Sequence, residues 1–267
     1  MQKKIVFLLI AFISVGVVQA QSPKAIIING NAGSIDQEAQ DLIGLFNRHG
    51  YATIYLTGNS ANWENVKTKA QGAAIFIYSG HGSSSGYNGT GGLCLNSNEN
   101  TWGSNVVSSY TFEKDIQLAS GAIVYFKSVC GGAGSSASDR SDIGIENATE
   151  RVTSYSYPFF KMGASAYFAS NYSGHALKVF QNLFEGNTLE DAFRNILLAT
   201  STIELIDVHT LDASKSIGIA SNYSPGTSTV YITTYTGTKK ENRTETFAKF
   251  REYNIAFAGR RTFKLTP

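Results

Sequence analysis

Two apolar runs, each closed by glycine and one reactive side chain, constrain this chain most: residues 73–82 (AAIFIYSGHG) and 122–132 (AIVYFKSVCGG). Runs of this length, rich in β-branched and aromatic residues, read as strands buried on both faces, as in a parallel sheet. The first ends at His81 and the second at Cys130. Residues at the carboxyl ends of such strands line the crevice where open α/β sheets bind ligands. The pattern therefore predicts a histidine and a cysteine delivered to one edge of one sheet.

The flanking sequence supplies the rest of that sheet. Residues 24–29 (KAIIIN) read as a buried strand closed by Gly30 and Gly33. Ser34 to Gln37 fit a capping box, and Ala39, Leu42, Ile43 and Phe46 follow at helical spacing as far as Gly50. Residues 51–56 give a second strand, and Asn62 caps a short helix carrying Trp63, Val66 and Ala70. Strand-helix alternation of this kind predicts an α/β protein with a parallel sheet. Further on, a helix is expected over 112–119, helical or irregular chain over 155–162, and a strand over 164–170. Ser173 and Thr188 open two helical segments. Beyond Thr200 the pattern predicts a hairpin of 216–220 with 229–234, a helix over 246–253 and a last strand over 262–265. Stretches 82–100 and 131–142, rich in Gly, Ser and Asn, read as loops, the first with a small hairpin around Leu93.

The 267 residues carry a net charge of +2 and no long block of Lys or Arg, which argues against nucleic acid as a partner. Arg260, Arg261 and Lys264 form only a short surface cluster. Lys3 and Lys4, the apolar residues 5–18 and Val18-Gln19-Ala20 mark residues 1–20 as a signal peptide, with the mature chain starting at Gln21. The apolar run is short for a membrane span. The expectation is a secreted or periplasmic protein without stable membrane insertion, comprising one domain over 21–267 with a core at about 24–200 and a C-terminal segment over 201–267. Export also permits a disulfide between the two cysteines, Cys94 and Cys130.

A cysteine nucleophile needs a nearby base to form thiolate and backbone donors aimed at the developing oxyanion. His81 suits the first role, and the amides of Gly82 and Cys130, at their strand tips, suit the second. Gly82 also lets the backbone approach a substrate closely.

The pair Ser-Gly-His-Gly (79–82) and Val-Cys-Gly-Gly (129–132), each after a buried strand, resembles the caspase-like, or clan CD, cysteine peptidases. In the caspase branch, C-[RQG]-G follows a histidine about 50 residues upstream. The clan includes caspases, metacaspases, legumains, gingipains and clostripain-like enzymes. The resemblance covers residues 24–200, and 253–265 resembles weakly the closing segment of gingipain-like domains. It implies a three-layer caspase-like α/β fold, with a mostly parallel central sheet and helices on both faces. It implies an endopeptidase acting on protein or peptide through an acyl-enzyme, with no cofactor. His81 is then the general acid/base, Cys130 the nucleophile, and Gly82 with Cys130 the oxyanion hole. The clan contains zymogens and calcium-regulated members; no residue here decides for either.

Several branches of the clan carry an acid two positions before the cysteine, where it helps bind a basic side chain. This chain has Ser128 there. Asp139 and Asp142 could supply negative charge instead, although solvated loop carboxylates are the plainer reading. Asn29 sits where the clan often places a substrate-pocket residue. The substrate-binding candidates are therefore Asn29, Ser128 and Asp139.

Other readings compete with these. A Cys94–Cys130 disulfide would block or gate the nucleophile, whereas Cys94 between two leucines reads as a buried hydrophobe. His49 is a helix-end charge, His175 is a rival base, and His209 has no comparable setting. Residues 82–86 match G-x-S-x-G, but Ser84 lacks the following helix that a nucleophile elbow requires. Residues 132–137 match G-x-G-x-x-A, yet no helix is expected over 138–149 and the strand is not the first of the fold. Neither CxxC nor HExxH occurs. The non-enzymatic alternative is a catalytically silent caspase-like module that binds peptide or glycan at the cell surface.

Overall fold

A computed structural model describes residues 22–31, 36–83, 91–96, 105–197, 201–207, 215–223, 226–236 and 239–265, with backbone alone at 207, 228–236 and 239–243. The signal-peptide reading over 1–20, the expected cap at Ser34, Ser84 and His209 lie outside the described residues.

The chain runs from β1 (Lys24–Asn29) through α1 (Gln37–Arg48) to β2 (Ala52–Leu56), then through α2 (Trp63–Lys69) to β3 (Ala73–Ser79). A small sheet of β4 (Gly82–Ser83), β5 (Gly92–Cys94) and β6 (Val106–Ser108) follows, before α3 (Ser109–Asp115) and β7 (Ala122–Lys127). Next come α4 (Gly144–Lys161), β8 (Ala164–Ser170), α5 (His175–Phe184) and α6 (Leu189–Arg194). The last part holds β9 (Thr202–Asp207), β10 (Ser216–Asn222), β11 (Thr227–Thr236), β12 (Lys239–Ala248) and β13 (Glu252–Gly259). Five strands pair in parallel in the order β2-β1-β3-β7-β8. Three antiparallel strands, β13, β10 and β9, extend the same sheet beyond β8. The protein is thus α/β, with one large mixed, mostly parallel sheet and helices.

The buried strands serve two cores because successive side chains point to opposite faces. Ile26, Ile28, Phe76, Tyr78, Val124 and Phe126 pack with Val66 of α2, Phe112 of α3 and Val152, Tyr155 and Phe159 of α4. Ala25, Ile27, Ile75, Ile77, Ile123 and Tyr125 pack with Leu42 and Phe46 of α1, Val179 and Phe180 of α5 and Phe193 of α6. Two caps match the sequence reading: Asn62 accepts from the Asn65 amide, and Thr188 forms a capping box with Asp191.

Four expectations fail, each where tertiary contact overrides local pattern. Residues 246–253 are not helical: 246–248 end β12, 252–253 begin β13, and the two strands pair with β11 and β10. The expected 216–220/229–234 hairpin does not form: β10 lies between β9 and β13 in the large sheet, and β11 pairs with β12 in a separate ribbon. Residues 262–265 carry no strand; the Phe263 carbonyl instead accepts from Leu189 N at the start of α6. Finally, α4 begins at Gly144, inside the stretch expected to lack a helix, and runs through 155–161. Its polar first turns and Pro158 mask the apolar face of Ala148, Val152, Tyr155 and Phe159.

Candidate functional site

Strand register lines up the carboxyl edge. Asn29 of β1 pairs with Ser79 of β3, Ser79 with Lys127 of β7, and Lys127 with Ser170 of β8. One residue further on the strands are still tied: Gly30 N donates to Ser79 O (2.8 Å), Gly80 N to Lys127 O (3.2 Å) and Ser128 N to Ser170 O (2.9 Å). Beyond that row the chain leaves the sheet, with His81 exposed and Cys130 half-buried. Ser128 takes a φ of 57°, a left-handed conformation uncommon for a residue with a Cβ. This turn redirects the chain just before Cys130. Cys94 and Cys130 are both free thiols, and Cys94 is buried in the core as its leucine neighbours suggested.

The backbone at Gly82 meets the cysteine loop. Cys94 N donates to His81 O (3.0 Å), while Gly82 faces Leu93 and Ser83 faces Gly92. Antiparallel pairs alternate between bonded and non-bonded, so the Gly82 N–H points out of the ladder, away from β5. A Cβ at Gly82 would stand 2.7 Å from Tyr155 Oη and 3.2 Å from the Cys130 carbonyl oxygen, and would press on Val129 Cγ1. Among the described residues no hydrogen bond uses the Cys130 amide. The edge therefore offers a thiol, an imidazole and two backbone donors on adjoining strand ends.

The loop after Cys130 is closely held. Gly131 N donates to Ser135 O (2.9 Å), Gly132 N to Val129 O (2.8 Å), and the Tyr167 hydroxyl to Gly132 O (2.8 Å). Ser135 and Tyr253 exchange two bonds, of 2.9 and 2.8 Å, which tie the loop to β13. Asp139 is not a solvated loop carboxylate. Arg151 of α4 grips it at 2.8 and 2.9 Å and also reaches Gly134 O, while Asp139 caps the Ser136 amide at 2.7 Å. Its charge is already compensated within the loop.

Asn29 and Ser128 share a cavity of about 390 Å³ with Ser79, Ser173 and a charged triad. It opens where the sheet order reverses between β1 and β3, the switch point at which open α/β sheets take ligands. Lys127 Nζ lies 2.9 Å from Asp36 and 2.8 Å from Glu38. Burial lowers the lysine's pKa, but the two carboxylates outweigh it and leave the pKa raised. The other oxygen of Glu38 accepts from Leu177 N (3.3 Å) in the first turn of α5. Sequence reasoning missed this triad. Its one legible trace was Lys127, a lone charge at the end of an apolar strand.

His175 is buried under the edge rather than presented as a rival base, its Nδ1 2.8 Å from Ser170 Oγ. Burial first, and Lys178 second, push its pKa below the usual 6.5. A group that stays neutral in the fold but protonates when unfolded makes stability fall as pH drops below 6.5. His175→Asn is expected to flatten that acid limb in denaturant titrations between pH 7 and 5. An unchanged slope would show that other groups set it. His49 stacks on Phe184 at 3.9 Å between ring centroids.

No family model matches the chain, and no curated protein matches it. Among the described residues no helix is long and apolar enough to cross a membrane, and no group of three His, Cys, Asp or Glu side chains could hold a metal ion.

Proposed function

We propose that the chain is an exported cysteine endopeptidase with the three-layer caspase-like arrangement. The observation that carries this reading is the contact of Gly82 with the Cys130 loop, which joins residues 79–82 to residues 129–132 at the carboxyl edge. His81 takes the thiol proton and Cys130 sulfur attacks the peptide carbonyl. The carbonyl oxygen becomes an oxyanion held by the amides of Gly82 and Cys130. His81 returns the proton to the leaving amine as the C–N bond breaks, and water then hydrolyses the thioester. Protein or peptide is the substrate, and the chemistry needs no cofactor.

In this reading the cavity beside Asn29 and Ser128 takes the side chain before the scissile bond, and Asp139, held by Arg151, has no part in it. An apolar side chain there would strip water from the Lys127 triad and its hydroxyl and amide neighbours without replacing the hydrogen bonds. A polar side chain is therefore favoured. The test is cleavage of a peptide library, randomised at that residue, by the chain from Gln21 onward, with and without reductant and calcium. Cleavage under reductant after polar residues is expected. No cleavage by protein whose Cys130 still alkylates with iodoacetamide would overturn the peptidase reading in favour of a binding module.

A further inference from the structure

Two buried phenols stand between the site loops and β5. Tyr78, the sixth residue of β3, places its hydroxyl 2.7 Å from the His81 carbonyl oxygen and 2.6 Å from that of Cys94. Tyr155, from α4, places its hydroxyl 3.0 Å from the Cys130 carbonyl oxygen and 3.3 Å from that of Gly92. Each phenol therefore has one acceptor on a site residue and one on β5, at opposite ends of that three-residue strand. A phenol donates a single proton, so each hydroxyl shares it between a site carbonyl and a carbonyl of β5.

The glycines of the histidine stretch fit around these hydroxyls. A Cβ at Gly80 would lie 2.7 Å from Tyr78 Oη, and one at Gly82 would lie 2.7 Å from Tyr155 Oη. A Cβ at Gly91, beside β5, would run into the Tyr155 ring. The Phe126 ring packs against both phenols, with ring centroids 6.0 Å from Tyr78 and 5.8 Å from Tyr155. The Ser-Gly-His-Gly pattern is thus shaped by what lies beneath it as well as by what approaches from solvent.

We infer that Tyr78 and Tyr155 are positioning residues, which set His81 and Cys130 against each other by tying both backbones to β5. The consequence for turnover rests on the peptidase reading; the consequence for thiol reactivity does not. Tyr155→Phe keeps the ring packed on Phe126 and removes the hydroxyl that links Cys130 to Gly92, and Tyr78→Phe does the same for the link between His81 and Cys94. Tyr125→Phe is the control, because its equally buried phenol faces the opposite core.

Two measurements decide the matter: the rate of Cys130 alkylation by iodoacetamide across pH, and kcat with KM on the best library peptide. Tyr155→Phe and Tyr78→Phe are expected to lower kcat about 10- to 100-fold with KM little changed. They are also expected to shift the pH midpoint of alkylation, while Tyr125→Phe leaves both at wild type. Folded Tyr155→Phe and Tyr78→Phe proteins with wild-type alkylation profiles would overturn the inference, as would equal losses in Tyr125→Phe. If the wild-type protein cleaves nothing, the alkylation profile alone decides, so failure of the peptidase reading and failure of this one stay distinct.

Discussion

Cys130→Ala is expected to abolish peptide cleavage, by roughly 10⁴-fold or more, because the proposed acyl-enzyme forms on its sulfur and alanine offers no nucleophile in its place. The fold should survive. Cys130 is half-buried in a turn, contributes no side chain to either core, and keeps its amide when only the sulfur is removed. The unfolding midpoint is expected to stay within about 3 °C of wild type, which for a chain of this size limits the change in stability to about 1–1.5 kcal/mol. The measurement is turnover of the library peptide beside a thermal melt of the same preparation. Cleavage surviving in the well-folded variant would remove Cys130 from the mechanism.

Gly82→Ala carries the second large effect, and it acts through space rather than chemistry. The added methyl would meet Val129 Cγ1, Tyr155 Oη and the Cys130 carbonyl oxygen. Both chains at this contact are held: Gly82 by pairing with β5, Cys130 by Tyr155 and by a loop tied to β13 and α4. The strain is expected to cost ~1–3 kcal/mol of stability and to displace the Gly82 amide from its place in the proposed oxyanion hole. Displacement on the order of 1 Å lowers turnover by about 10²-fold. Denaturant titration and kcat/KM measure the two parts separately. Wild-type values for both would mean that the two stretches are not in the contact described.

Most of the five parallel strands could be read from the chain, because continuous apolar runs such as AIIIN and AIFIY bury on both faces and leave few alternatives. The same logic placed His81 and Cys130 at one edge, and the family resemblance added Asn29 and Ser128. The logic failed where the signal is not local. β12 and β13 were read partly as a helix because Thr246 to Tyr253 takes its conformation from partners distant in sequence, such as Thr229 with Thr246 and Ser221 with Tyr253. The triad of Asp36, Glu38 and Lys127 was equally hidden, since Lys127 lies 91 residues from Asp36. Asp139 was legible as an acid but not as a buried partner of Arg151, on a helix whose polar start concealed it.

Sequence alone determined the order of strands through the parallel half of the fold and the glycine-flanked ends of β3 and β7, where it placed His81 and Cys130. Those follow from short-range physics: apolar periodicity, turn chemistry and the crevice at strand ends. Only the tertiary structure decided how the two ends meet. Register sets Asn29, Ser79, Lys127 and Ser170 in one row, Ser128 turns the chain, and Tyr78 and Tyr155 tie the loops to β5. A phenol in an apolar run looks like any core residue in the sequence. Its hydroxyl acquires a role only when folding brings two carbonyls within reach of its single proton.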